Sequence, residues 1–463
     1  MINTTNHIEP IYEELAEFNV DALIKLFSDK KDLMVLTSSM QMEGYGKYSF
    51  ICFDSFWSFS CKGELKQEPF DIINDKLNEY KIKKIACLPP LQGGAVGYFG
   101  YEASHYLEQL PFIVDNIKLP DIYLNFYSSV ISIDHVTNQC WIVATGFPEK
   151  SERARVKKAQ DDIIAIKNKC RLGLGPTTAS HRDHCWAKAQ PTSNFDRASY
   201  INAVNVTKEY ILNGDIFEAN ISQQFSATLP DDTNPLDLYF NLMTINPAPF
   251  SAFITLPDHG YIISASPERF IKLTDQLVET CPIKGTRKRS DDPQEDNRLA
   301  AELLMSEKDH AENVMIVDLM RNDLSRVCQS VNVEELSALK SFETVHHLVS
   351  KVTGILKNNL NTIDLLKATF PPGSVTGAPK IRSMEIISEL EKQARGPYCG
   401  CLGYLSFTGD MDMSVIIRTY FINKNNLFFS AGGAIVLDSD PEDEYQESLT
   451  KAQALIKALG ISK

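Results

Sequence analysis

No run of eighteen apolar residues occurs in the 463-residue chain, so no membrane-spanning helix is expected. Basic residues are in the minority: 46 Lys and Arg against 60 Asp and Glu leave a formal charge of -14. The chain therefore lacks the basic surplus on which nucleic-acid binders depend, although local pockets for small anions remain open to it. Residues 1–10 lack the charged-then-apolar order of a secretory signal, and the cytoplasm is the expected compartment. Ten cysteines lie scattered from Cys52 to Cys401, and the one close pair, Cys399 and Cys401, has no histidine or second pair to complete a zinc site. Most of them read as reduced, buried, structural thiols. There is no internal repeat and no low-complexity segment. The glycine-rich run 92–101 does not open a helix as a G-x-G-x-x-G fingerprint would, and the loop 371–380 lacks the Gly-Lys-Ser/Thr ending of a Walker motif.

What is present is an ordinary globular composition, 43% hydrophobic and 23% charged, long enough for two or three domains or one large layered one. Residues 33–147 are strand-rich, with alternation visible over 48–53 and 123–134. A charged helical stretch (151–169) then leads into a Gly/Pro turn and a polar segment holding His181, His184 and Cys185. Three loosely spaced ligands without a fourth fit a solvated connection better than a metal site. From residue 195 onward helices and strands alternate densely. A helix over 196–212 stops at Asn213-Gly214, and strands are expected over 250–255, 260–265, 270–273, 404–407, 414–421 and 426–430. Their hairpin-like spacing favours antiparallel sheets with helices packed outside, an α+β architecture.

Residues 282–286, Pro-Ile-Lys-Gly-Thr, set Lys284 between a strand-like run and a turn-forming glycine. Held in a dry pocket, a lysine loses hydration, its pKa falls, and it becomes a nucleophile near neutral pH. The alternative is a surface lysine heading the basic run Arg287, Lys288 and Arg289. Glu268 stands between two strands at a proline-marked corner. It is either an ion-pair partner of Arg269 or the positioned acid that a lysine nucleophile needs when a hydroxyl must leave. Ser306 and Asp309 mark a helix start, and in that helix Glu312 shares a face with Met315, Ile316 and Leu319. A carboxylate on an apolar stripe must be protonated, paired or bound to a cation, so a salt bridge to Arg321 or Arg326 and a metal ligand weigh equally. Glu444 and Glu447 open another helix, on one flank of a stripe of Tyr445, Leu449, Ala452, Ile456 and Leu459. Acidic residues favour helix N-termini in any case, but with Glu312 these two make an oxygen-rich site suited to Mg2+. Backbone donors of the 371–380 loop and of 431–434 offer anion seats, and Arg418, read within a strand, is suited to clamp a carboxylate. A lysine, anion seats and a magnesium site imply a small dianionic substrate.

Together these segments resemble the chorismate-utilising enzymes. The resemblance is carried by Ser266-Pro267-Glu268-Arg269, by 308–313 (Lys-Asp-His-Ala-Glu-Asn), 317–323 (Val-Asp-Leu-Met-Arg-Asn-Asp) and 346–350 (His-His-Leu-Val-Ser), and by 373–380, Gly403-Tyr404, Ile417-Arg418-Thr419 and 444–447. It is dense from about 195 to 455 and thinner from 35 to 130. It implies a large α/β sandwich of two mainly antiparallel sheets with helices outside. Residues 1–463 would then form one interleaved unit built from the strand-rich segment 33–147 and a chorismate-binding segment 195–458. Within the family, Lys284 in its Pro-Ile-Lys-Gly-Thr setting resembles the aminodeoxychorismate synthase branch, where anthranilate synthase large subunits usually carry alanine.

That resemblance implies attack of Lys284 on C2 of chorismate while Glu268 protonates the departing C4 hydroxyl. Ammonia then adds at C4, giving 4-amino-4-deoxychorismate for p-aminobenzoate and folate synthesis. It implies Mg2+ held by Glu312 and Glu447 with Glu444 nearby, and Arg418, Tyr404, Gly432 and Gly433 around the enolpyruvyl carboxylate. His347, Thr376 and Lys380 match further substrate-site positions. No cysteine sits in a Gly-x-Cys-x-Gly elbow, so a separate glutamine amidotransferase subunit is the implied ammonia source. A tryptophan pocket is implied at Ser38, Tyr45, Gly46, Tyr48, Pro249, Phe250 and Ser251. One departure is Ala434, where relatives commonly carry a third glycine. The rival readings are anthranilate synthase component I, an isochorismate or salicylate synthase, and an inactive tryptophan-binding regulator.

Overall fold

The computed structural model describes residues 8–40, 44–63, 65–173, 186, 190–341 and 345–461; His181, His184 and Cys185 lie outside them. Two large sheets dominate, of twelve and ten strands among the described residues, and their strand pairs are antiparallel. Both sheets join the first third of the chain to later segments. In the larger sheet Met34–Thr37 pairs with Phe250–Leu256, and in the smaller Gly94–Phe99 pairs with Cys401–Ser406. Alternation along the strands explains the layering. Met34, Phe50, Ala252, Ile262 and Phe421 face the second sheet in one core. Their neighbours Val35, Ile51, Phe253, Ile263 and Ile422 face outer helices in another. The Phe50 and Tyr404 rings meet across the sandwich with centroids 5.3 Å apart.

Helix ends follow the sequence signals. Arg197–Leu212 is capped by Asp196 and Ser199 in a reciprocal box, and Glu307–Val327 by Ser306, whose hydroxyl oxygen accepts from Asp309 N. Pro441–Ala458 starts at Asp440 and buries Glu444, Ser448, Ala452, Leu455 and Ala458. The expected stripe packs inward, with Ala452 and Leu459 buried and Tyr445, Leu449 and Ile456 half-buried, and the inward face also takes in Glu444. No described helix is long and apolar enough to cross a membrane.

Two strands expected to be continuous are broken. The 414–421 run divides into Met411–Val415 of the smaller sheet and Thr419–Asn423 of the larger, and the 123–134 run divides likewise at Ser128. Arg418 is thus not a strand residue. It stands in the crossing between sheets with φ 51°, in the left-handed region. Glu268 occupies a second crossing, between Gly260–Ser266 of the larger sheet and Arg269–Thr274 of the smaller. The two crossings lie side by side: Val415 N donates to Glu268 O at 3.0 Å and Ala265 N to Arg418 O at 3.2 Å.

Candidate active site

Lys284 enters from Ile283–Lys288, whose pairing with Val345–Leu356 shifts register between Lys284 and Thr286. Gly285 makes that bulge, with φ 70°; a Cβ there would sit 2.7 Å from Leu303 Cδ1. The lysine side chain is 10% exposed. Its Nζ donates to Glu218 Oε1 at 3.1 Å and lies 3.8 Å from Glu312 Oε2. Burial alone would lower its pKa, as the sequence reading expects. Glu218 and Glu312 outweigh burial, however, and the net shift is upward. These carboxylates favour the ammonium form of Lys284, and the expected depression is not found.

From Glu312 a chain of alternating charges extends outward. Lys308 Nζ is 4.0 Å from Glu312 Oε1 and 3.3 Å from Glu444 Oε1, which also accepts from Ser439 Oγ at 2.7 Å. Lys451 pairs with Glu447 at 2.7 Å and donates to Gly432 O at 3.0 Å. The arginines weighed for Glu312 are engaged elsewhere, Arg321 with Asp318 and Arg326 with Ala368 O. Burial, first, and then Glu218 raise the Glu312 carboxyl to about 7 against the pull of Lys284 and Lys308. Burial would raise Glu447, which is half-exposed, but Lys451, with Lys308 and Lys284, holds it below the usual carboxylate range.

Glycine at 433 leaves room between two of these acids. A Cβ there would lie 2.9 Å from Glu444 Oε2 and 3.4 Å from Glu447 Oε1. Among the described residues no three His, Cys, Asp or Glu side chains converge closely enough to hold a metal by themselves. A hard cation that keeps its waters asks for only one or two protein carboxylates, so this oxygen-rich cradle fits Mg2+. Ala434 is extended and paired with Asn220, so its methyl causes no backbone strain.

Glu268 is buried. Loss of hydration pushes its carboxyl up to about 7, against the opposing influence of the Ser374 hydroxyl, Lys284, the Ile283 N–H and Lys451. It does not pair with Arg269. That guanidinium points the other way, to Glu279 at 2.8 Å and Asp412 at 2.9 Å. His347 Nδ1 lies 2.9 Å from Thr286 Oγ1, and burial, with Arg418 nearby, lowers its pKa to about 4, so the ring is neutral. Among the described residues, Arg418 makes one side-chain hydrogen bond, a 3.4 Å contact to Asn246 Oδ1, which leaves most of its guanidinium donors for a ligand.

A family model for chorismate binding enzymes matches residues 36–457. The chain belongs to that family. The aminodeoxychorismate synthase component 1 of Escherichia coli is 42% identical over 373 residues, covering 80% of this chain and 78% of that protein. The anthranilate synthase component 1 of Aquifex aeolicus is 36% identical over 481 aligned residues, covering 99% and 96%. Among solved structures, anthranilate synthase component I from Streptococcus pneumoniae superposes with a TM-score of 0.76 at 32% identity, over 89% of this chain and 92% of that one. The sandwich expected from the sequence is thus the fold of this family.

Not every residue that matches a chorismate-binding motif stands beside Lys284. Tyr404 lines a separate cavity of about 620 Å³ together with Tyr45, Gly46, Tyr48, Pro249, Phe250 and Ser251. Arg269 lies over the Tyr45 and Phe250 rings there, at 4.7 and 5.3 Å. Ser38 supports the wall, donating to Met40 O at 2.6 Å. The structure therefore gathers the residues expected for tryptophan and adds Tyr404 to them, because Tyr404 sits on a strand face turned toward Phe50. Lys380 is displaced as well. All three of its ammonium protons are used, by Asp323 Oδ2 (2.6 Å), Thr369 O (2.7 Å) and Pro371 O (2.9 Å), so it clamps the loop and has none left for a substrate. Thr376 likewise gives its hydroxyl to Pro372 O and Gly373 O, and its own carbonyl accepts from Asn220 N. Glu218, the nearest partner of Lys284, is absent from the sequence-derived set.

Proposed function

We propose that this chorismate-utilising enzyme aminates its substrate at C4, converting chorismate and ammonia to 4-amino-4-deoxychorismate. The observation that carries the reading is Lys284. It is an amine set among carboxylates, with the buried acid Glu268 within electrostatic reach and near pKa 7. Lys284 first gives up a proton to solvent, leaving Nζ a neutral amine. Its Nζ then bonds to C2, the ring double bonds shift, and the C4 hydroxyl leaves as water with the proton of Glu268. Ammonia adds at C4, the double bonds shift back, and Nζ departs. Glu312, Glu444 and Glu447 are the residues that would hold Mg2+, which supplies positive charge opposite a substrate carboxylate. Arg418 clamps the other carboxylate. Ammonia comes from a glutamine amidotransferase subunit, in keeping with the "component 1" naming of the relatives and the absence of a glutaminase elbow in this sequence.

Anthranilate synthase is the competing reading, and relatives of that name are of comparable identity. Elimination of pyruvate needs no amine adduct, so Lys284 favours C4 amination. Incubation with chorismate, Mg2+ and ammonium at mildly alkaline pH, with products identified by mass spectrometry, separates the two. An amino product that keeps its enolpyruvyl group supports the proposal; anthranilate with free pyruvate refutes it. Lys284→Ala is expected to abolish amination with the fold intact.

A further inference from the structure

Glu218 opens the long strand Glu218–Thr228, and it is 1% exposed. Every second residue from it is polar and buried: Glu218, Asn220, Ser222, Gln224. Farther along this face, charge is fully satisfied. Glu391 accepts from Ser222 N, from Ser222 Oγ and from two nitrogens of Arg395. At the Lys284 end the face is unfinished. Glu218 Oε1 accepts from Lys284, while Glu218 Oε2 and Asn220 Oδ1 are buried with no hydrogen-bond partner. A carboxylate buried for stability alone is normally bonded on both oxygens, because an unmet acceptor in the interior is destabilising.

The backbone beneath this carboxylate is held firmly. Glu218 O accepts from Ser383 Oγ at 2.9 Å, Phe217 N donates to Ala378 O at 2.7 Å, and Glu218 pairs with Ala378. Gly377 permits that approach, since a Cβ on it would stand 2.1 Å from Glu218 O. Lys284, in contrast, rides on a bulge where its strand loses regular pairing. Glu218 accepts its only hydrogen bond among the described residues, and Glu312 is beyond hydrogen-bond distance at 3.8 Å.

We propose that Glu218 is the positioning residue of Lys284: a carboxylate fixed on one sheet that holds the amine carried by the other. The inference rests on the reading that Lys284 attacks chorismate. A flexible four-carbon side chain on an irregular strand has many rotamers, and a fixed acceptor 3.1 Å from its nitrogen selects one of them. The role is exerted through Lys284, so it belongs to the chemical step and leaves substrate binding unchanged.

The test is steady-state amination of chorismate by the full chain, with ammonium and Mg2+, for Glu218→Ala, Glu218→Gln and Lys284→Ala. Thermal midpoints establish that each variant folds. Loss of the acceptor in Glu218→Ala is expected to lower kcat about 10- to 100-fold with the chorismate KM within about threefold. Glu218→Gln, whose amide oxygen still accepts from Nζ, is expected to recover most of kcat, which also keeps the test intact if the alanine variant fails to fold. A second readout does not depend on turnover: amine-reactive labelling of Lys284, followed by peptide mass spectrometry, should be faster in Glu218→Ala than in the parent. Full activity in both Glu218 variants, or a KM effect with kcat unchanged, overturns the assignment while leaving the lysine mechanism standing. Full activity in Lys284→Ala overturns the underlying mechanism instead.

Discussion

Lys380 offers the sharpest contrast between motif and geometry, and Lys380→Met tests it. The ammonium is bound by Asp323 and two backbone carbonyls, with both side chains largely buried. Burial dominates the shift of each partner, lowering the pKa of Lys380 and raising that of Asp323, so each charge is tolerated only because the other is present. Replacing the lysine with an apolar side chain of similar length keeps the volume but strands Asp323 and two carbonyls. Removing one partner of a buried pair is destabilising by about 3–5 kcal/mol. At about 2.1 cal/mol/K per residue, a chain of 463 residues has an unfolding entropy of about 1 kcal/mol/K, so the thermal midpoint should fall about 3–5 °C. The pH dependence has a definite sign. In the variant Asp323 is a buried carboxyl whose folded-state pKa lies above its unfolded value. Its ionised form is therefore unfavourable at neutral pH, and the deficit shrinks as pH falls through the folded-state pKa. Differential scanning fluorimetry of both proteins from pH 8 to pH 5 should show the gap narrowing. An unchanged midpoint at pH 8 together with a raised chorismate KM would refute the reasoning and return Lys380 to the substrate.

Glu268→Gln should reduce amination at least about 100-fold, and at fixed free ammonia the parent rate should climb with pH only up to about 7, where burial places this acid, because above it each gain in free Lys284 amine is offset by loss of the proton to be donated. A rate that keeps climbing above pH 7, together with an active glutamine variant, would remove the acid role. Gly433→Ala puts a methyl 2.9 Å from Glu444 Oε2 and should raise the Mg2+ concentration for half-maximal activity about 10-fold or more; an unaltered titration would move the cation elsewhere. Tyr404→Phe should leave the chorismate KM within about twofold, since the ring stands in the second cavity. A KM effect would reverse that placement.

Local order was readable where local chemistry decides it. Asp196 with Ser199 and Ser306 with Asp309 announce their helices because the caps are made by residues three apart. The two broken strands were not readable. Alternation reports which way side chains face, and it continues unbroken when a chain leaves one sheet for another, as at Ser128 and at 416–418. Glu218 was missed for a related reason. Polar residues at every second position describe a strand with one face in water, and only the tertiary structure buries that face. The charge of Lys284 was misjudged because the partner that sets it lies 66 residues away.

The two crossings that carry Glu268 and Arg418 belong to neither sheet, yet they are tied to each other by two backbone hydrogen bonds. Backbone bonds are indifferent to side-chain identity. Strands on either side can exchange one apolar residue for another while the backbones that carry Glu268 and Arg418 keep their separation. The fold thereby divides its sequence into a permissive part and a gauge. Drift in the sheets alters stability by degrees, while the spacing of the two crossings is protected by main chain, with the Ser266 hydroxyl bridging Val415 O and Glu268 N.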